Sequence, residues 1–134
     1  MSRSWSFMIP DWHPPSVNDV MGSSIKKRTK IKSQAKNIVS AYCCLYDVDR
    51  IVKPNGELGD NACRRRIKAY VLTKPRTSIR FDLDNIWKYL LDGLVDARVL
   101  VDDSNEWLLC DPISIVETDG MTGYPSLIVT VTDI

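Results

Sequence analysis

The stretch FDLDNIWKYLLDGLVDARVLVDDSNEW, residues 81–107, decides how this chain is read. It has acids at both ends: Asp82 and Asp84 before an apolar middle, Asp102 and Asp103 after it. Ile86, Trp87, Leu90, Leu91 and Leu94 recur at the spacing of one helical face. Asp84, Lys88, Asp92 and Asp96 step by four along another. The pattern predicts an amphipathic helix over roughly 84–97. Asp84 is placed to cap it, since a carboxylate there accepts from the free N–H groups of the first turn.

Elements can be read outward from that helix. SWSFMIP (4–10) reads as a first strand stopped by Pro10, followed by a loop rich in turn formers. Ile31, Ala35, Ile38, Val39 and Tyr42 predict a helix over about 30–46. DVDRIVKPNGELGDN reads as a loop with a Pro-Asn-Gly turn, and RRRIKAYVLTK as a strand ended by Pro75. EWLLCDPISIVET and YPSLIVTVTD, joined by DGMTGY, read as an antiparallel hairpin. The order β-α-β-α-β-β predicts one α/β (α+β) domain over 1–134, a small mixed sheet with two helices on one face.

The bulk numbers fit that picture. The chain has 134 residues, 44% hydrophobic and 26% charged, as in ordinary globular proteins. No apolar run is long enough for a membrane helix, and the N-terminus lacks the apolar stretch of a signal peptide. A cytoplasmic chain without a membrane partner is expected. Cys43, Cys44, Cys63 and Cys110 form no CxxC pair, and His13 stands alone in a Pro-rich turn. That spacing argues against zinc, and the four thiols are expected to be reduced and buried. Residues 1–80 carry 16 of the 18 lysines and arginines, whereas residues 81–134 carry 11 of the 17 acids. One half suits a polyanion and the other suits cations.

Asp82 and Asp84 are two apart on an extended helix entry, so their side chains point the same way. Two carboxylates held close repel unless a cation lies between them. Hard oxygen ligands of this kind suit Mg²⁺ or Mn²⁺. Lys88, one turn further, can pair with the cluster or hold a negative substrate oxygen. A plainer reading stays open: a helix cap plus an i,i+4 ion pair. Asp102 can be ligand, support or turn former, and Asp92 a partner of Lys88 or surface. The spacing of an EF-hand and a glycine-rich phosphate loop are both missing.

The stretch DLDNIWKYLLDGLVDARVLVDD resembles the signature of the RusA-type Holliday junction resolvases, D-x-D-N-x-x-K, then D and a small residue, then D-D. Asp82, Asp84, Asn85, Lys88, Asp92, Asp102 and Asp103 match it without a gap. HPPSVN (13–18) resembles the family's Pro-Pro-Ser-x-Asn segment. The resemblance implies a RusA-like fold in a bacterial or phage protein. It also implies Mg²⁺ bound by Asp82, Asp84 and Asp103, with Lys88 as an essential catalytic companion. Two positions depart from the pattern. Gly93 stands where alanine is usual, at an expected cost of about 1 kcal/mol of helix. Arg98 stands where glycine is common and removes the easy left-handed turn.

Spacing also raises a question of assembly. A 14-residue helix is roughly 20 Å long, and residues 98–103 span at most about 20 Å. One chain brings Asp103 to Asp84 only by doubling straight back. A two-fold homodimer offers another route, with Asp103 of one subunit completing the Asp82/Asp84 pair of the other.

The DNA-binding expectation rests on Lys26, Lys27, Arg28 and Lys30, on Arg64, Arg65 and Arg66, and on Arg76 and Arg80. Trp5 and Trp12 are expected in the core or on the sheet, with base stacking as their other use. The sequence therefore points to a Mg²⁺-dependent, structure-selective endonuclease acting on four-way DNA junctions in recombination and repair. Its rivals are a non-catalytic DNA- or protein-binding module, and a metal-dependent phosphodiesterase for branched RNA or flaps.

Overall fold

SLIVTVTD alternates apolar and hydroxyl side chains, the period-two pattern of a strand with one buried face. In the computed structural model this segment is a central strand. The structure describes residues 3–10, 25–76, 83–120 and 125–134, with the side chains of 25–32 and of Asn85 outside that description. Its elements are β1 (Ser4–Ile9), α1 (Ile25–Leu45), β2 (Arg65–Thr73), α2 (Leu83–Asp96), β3 (Leu108–Cys110), β4 (Ser114–Glu117) and β5 (Ser126–Asp133). The expected mixed α+β class, with a small mixed sheet and two helices, is what is observed. α1 starts five residues earlier than its apolar spacing announced.

The expected terminal hairpin is not formed. Both edges of β5 are occupied, by β1 and by β2, each antiparallel. β3 and β4 instead share the other edge of β2, both parallel to it. They act as one interrupted strand. Ile67 pairs with Cys110 and Tyr70 with Ser114, so the outer strand holds one extra residue, a bulge at Asp111–Ile113. Pro112 has no N–H to give a ladder, which explains the break.

The two faces of the sheet differ. Phe7 and Ile9 of β1, Ile67, Ala69 and Val71 of β2, and Leu127, Val129 and Val131 of β5 are buried with α1 and α2 in one core. The open face bears hydroxyl pairs Ser4–Thr132 and Ser6–Thr130, 3.1 and 2.8 Å apart. Arg66, Lys68 and Tyr70 continue those rows from Thr132, Thr130 and Ile128. No carboxylate projects from this face of β1, β2 or β5, because their residues there are the hydroxyls, Arg66, Lys68, Tyr70 and apolar side chains.

Gly93 lies where α2 meets α1. A Cβ there would sit 2.5 Å from Val39 Cβ. The residue that weakens the helix in isolation thus allows its close packing. Both helices end on a non-glycine residue in the left-handed region, Asp47 (φ 52°) and Arg98 (φ 64°). Val48 N–H donates to Cys43 O and Asp47 N–H to Cys44 O; Val99 N–H donates to Leu94 O and Arg98 N–H to Val95 O. These are paired Schellman closures. The turn that Arg98 seemed to forbid is made anyway, and Ile51 N–H donates to the Arg98 carbonyl at 2.8 Å to hold it. The Pro-Asn-Gly turn forms as expected: Gly56 (φ 89°) donates to Lys53 O at 2.9 Å.

Arg65 closes the end of the core and is fully buried. Its Nε donates to Asp133 Oδ1 at 2.8 Å, and one terminal nitrogen donates to Asp49 O at 2.7 Å and Val99 O at 2.8 Å. The guanidinium lies 4.9 Å from the Trp5 ring centre, with Arg3 on the same ring at 5.2 Å. Trp5 therefore packs against the core, partly buried. Burial pushes the Cys43 thiol up to about 12, against the opposing charge of Arg65. All four cysteines are unpaired, as expected; only Cys43 is buried, and Cys44 and Cys110 are exposed. Among the described residues, no helix is long and apolar enough to cross a membrane.

Candidate functional site

α2 begins at Leu83, so Asp84 is inside its first turn rather than at the cap. Its exposed carboxylate still sits at the positive end of the helix dipole. Lys88 is one turn further and exposed. It makes no ion pair with Asp84 or Asp92. The plain i,i+4 ion pair is therefore absent, and the ammonium is not held by either acid. Asp82, Arg80, Trp12 and the HPPSVN segment, residues 13–18, lie outside the described residues, as does the side chain of Asn85.

After the Arg98 turn the chain runs back beside α2. Asp102 and Asp103 line a groove of about 370 Å³ with Leu91, Asp92, Val95 and Asp96 of α2 and Lys36 of α1. The sequence placed Asp96 on the polar face of the helix without a site role and did not single out Lys36, and it read Asp92 as surface or as a partner of Lys88. The four-residue step from Asp92 to Asp96 along α2 was the available signal, but the return of the 97–103 segment to that flank was not visible in it.

Within the groove the acids differ in role. Ser104 N–H donates to Asp102 Oδ1 at 2.8 Å. The Ser104 hydroxyl first, and then that backbone bond, hold Asp102 below the usual carboxylate range. Asp102 is therefore the former of its own turn. Asp103 is exposed and free of such a bond to its own loop. Burial, then the charges of Asp111 and Asp103, push the Cys110 thiol up. Burial, then Asp92, does the same to the Tyr89 hydroxyl.

Asp103 thus stands beside the second half of α2, level with Asp92 and Asp96. Asp84 is eight residues before Asp92, about 12 Å along the axis. Asp92 shares the groove with Asp103, and Asp84 is not among its lining residues. Among the described residues, no three His, Cys, Asp or Glu side chains gather closely enough to hold a metal ion.

The basic residues divide. Lys26, Lys27, Arg28 and Lys30 belong to the first turns of α1, and their side chains lie outside the described residues. Arg64 is exposed just before β2, and Arg76 is exposed after it, at a left-handed φ of 56°. Arg66 is half-exposed, its Nε 3.5 Å from Asp111 Oδ1. Arg65 corrects the expectation. Its guanidinium is spent on Asp133 and two backbone carbonyls inside the protein, so it reaches no phosphate.

Compared with protein-family models and with curated proteins, this chain matches no family and no relative.

Proposed function

We propose that this protein is a divalent-metal-dependent, structure-selective DNA endonuclease that cuts four-way junctions by paired phosphodiester hydrolysis. The observation that carries the reading is the ordered set Asp82, Asp84, Asn85, Lys88 and Asp103 about one amphipathic helix, with the RusA-type resolvase spacing. Two structural facts support it. Asp84, Lys88 and Asp103 are all exposed, and no described ion pair consumes the lysine.

The donor chemistry suits Mg²⁺ or Mn²⁺: carboxylate oxygens from Asp82, Asp84 and Asp103. When bound, the ion supplies a Lewis acid and an activated water. The chain's own residues do the rest. Lys88 neutralises a non-bridging phosphate oxygen as negative charge builds there. Asn85 orients a carboxylate or the attacking water. Asp102, already engaged with Ser104, shapes the loop that presents Asp103.

The separation of Asp84 from the Asp103 flank favours a site shared across a two-fold axis, with Asp103 supplied by the second subunit. Two symmetry-related sites suit paired cuts in a four-way junction. A cytoplasmic protein of bacterial or phage origin is the matching setting.

The test is nicking of a labelled four-way junction, a matching duplex and a flap, in Mg²⁺ and in EDTA, with Asp82→Asn alongside. Paired, Mg²⁺-dependent cuts confined to the junction and lost in the variant are expected. Tight junction binding with no cutting in Mg²⁺ or Mn²⁺ would leave the non-catalytic binding module. Cuts confined to flaps would favour the broader phosphodiesterase. A heterodimer of Asp82→Asn and Asp103→Asn chains separates the assemblies: a shared site retains one nick, an intramolecular site loses both.

A further inference from the structure

We infer that the open face of the sheet is a docking surface for an unpaired nucleic-acid strand. The inference rests on the nucleic-acid part of the reading above and needs no metal or cleavage. Four observations lead to it.

The first is charge. Arg66 and Lys68 project from this face of β2 with 43% and 59% of their side chains exposed. The open face of β1, β2 and β5 carries no carboxylate to oppose them. Asp111, in the bulge at the β3–β4 edge, is the acid that approaches both, at 3.5 and 3.7 Å. Half-exposed pairs this long hold little. A phosphate can therefore take up either cation.

The second is an apolar platform beside the cations. Tyr70 follows Lys68 on the same face, about 7 Å further along the strand. It is 37% exposed, and Met8, two strands away in the same cross-strand row, is 43% exposed. An exposed aromatic ring on a sheet is useful to a base whose own face is free. A duplex keeps its bases stacked and would use the cations alone.

The third is the hydroxyl ladder, Ser4–Thr132 and Ser6–Thr130. Each pair holds one internal hydrogen bond and keeps lone pairs and a rotatable donor for sugar or phosphate oxygens.

The fourth is segregation. The groove with Asp92, Asp96, Asp102 and Asp103 belongs to the helix and its return loop, away from this face. A second copy docking its acidic groove onto the basic sheet would answer the charge, and the sedimentation measurement below tests for it. A nucleic-acid strand satisfies both the charge and the ring.

The experiment is fluorescence anisotropy of a labelled 20-nucleotide single strand and its duplex, in EDTA, with the full chain. The variants are Lys68→Glu and Tyr70→Ala, with Lys53→Glu, on the 51–58 loop, as the charge-matched control. Circular dichroism and sedimentation check folding and mass. The native chain is expected to prefer the single strand. Lys68→Glu should weaken it about tenfold or more, and Tyr70→Ala about tenfold on the single strand but little on the duplex. Lys53→Glu should stay within about threefold. Equal binding by all four proteins, or no single-strand binding by the native chain, overturns the inference. So does a concentration-dependent increase in mass of the native chain that Lys68→Glu abolishes, which would assign the face to a second copy. Junction cutting is read separately, so its loss in Asp82→Asn leaves this result standing.

Discussion

Arg65 and Arg66 are neighbours in the sequence and opposites in the structure. One is sealed in the core with Asp133, Asp49 O and Val99 O; the other stands half in solvent beside a loosely held Asp111. Strand period decides this, since successive side chains go to opposite faces. A run of three arginines therefore cannot be one phosphate patch when it enters a strand. The helix-covered face is built for cohesion, and the open face is built of groups that can exchange their partners.

That contrast is sharpest when the two arginines are removed in turn. Arg65→Met should lose about 3–5 kcal/mol, because Asp133 and two carbonyls are left without their partner in a buried place. Arg66→Glu should change stability by less than about 0.5 kcal/mol. Urea unfolding at neutral pH measures both. Similar losses for the two variants would break the comparison.

Gly93 extends the argument to the helix pair. Gly93→Ala gains about 1 kcal/mol of helix propensity but drives a methyl into Val39. Overpacking of that kind costs about 1–3 kcal/mol, so a net loss of roughly 1 kcal/mol is expected. Val39→Ala in the same chain should make the added methyl favourable. A thermal-melt double-mutant cycle reads the coupling. A stabilising single Gly93→Ala would show that the helices are free to separate.

Acid tests the same clasp from the other partner. Burial would raise the Asp133 carboxyl, but its bond to Arg65 and that residue's charge, with Cys63 and Arg3, hold it below its usual value. Its stabilisation is therefore complete above the unfolded carboxylate value, near pH 4, and fades as pH falls through the lowered folded value. Native protein should lose stability below about pH 4, and Asp133→Asn should flatten that slope while lowering stability at neutral pH. Denaturant midpoints between about pH 2 and 6 provide the measurement. An unchanged slope would remove Asp133 from the clasp.

How much of this could be read from the sequence follows the range of the interactions. The apolar face of α2 was legible because its spacing is local; Ile86, Leu90 and Leu94 are all fully buried. β1 and β2 end within a residue of their expected limits for the same reason. The pairing of β4 with β2 was not legible, since hairpin signals report nearness in sequence and β5 had two longer partners. Of the acids about α2, the sequence marked Asp84, Asp92, Asp102 and Asp103, all of which the structure leaves exposed. What the sequence could not convey was that Asp103 returns to the level of Asp92 and Asp96. That placement depends on the Arg98 turn and on Ile51, a partner 47 positions earlier in the chain.

Arg98 offers the smallest and most diagnostic test. Its left-handed backbone costs a non-glycine residue about 1–2 kcal/mol, while glycine gives back about 0.5–1 kcal/mol through the freedom of the unfolded chain. Arg98→Gly should therefore stabilise by roughly 0.5–1 kcal/mol in urea unfolding. The turn's hydrogen bonds are all from backbone atoms, so they survive the change. If the 99–103 return merely needs the turn, cutting of a four-way junction should be unaffected by the substitution. A loss of cutting with a gain of stability would mean that the guanidinium of Arg98 has a task on the acidic side of the molecule that the open face does not share. The charge contrast between the two faces would then need one cation moved across it.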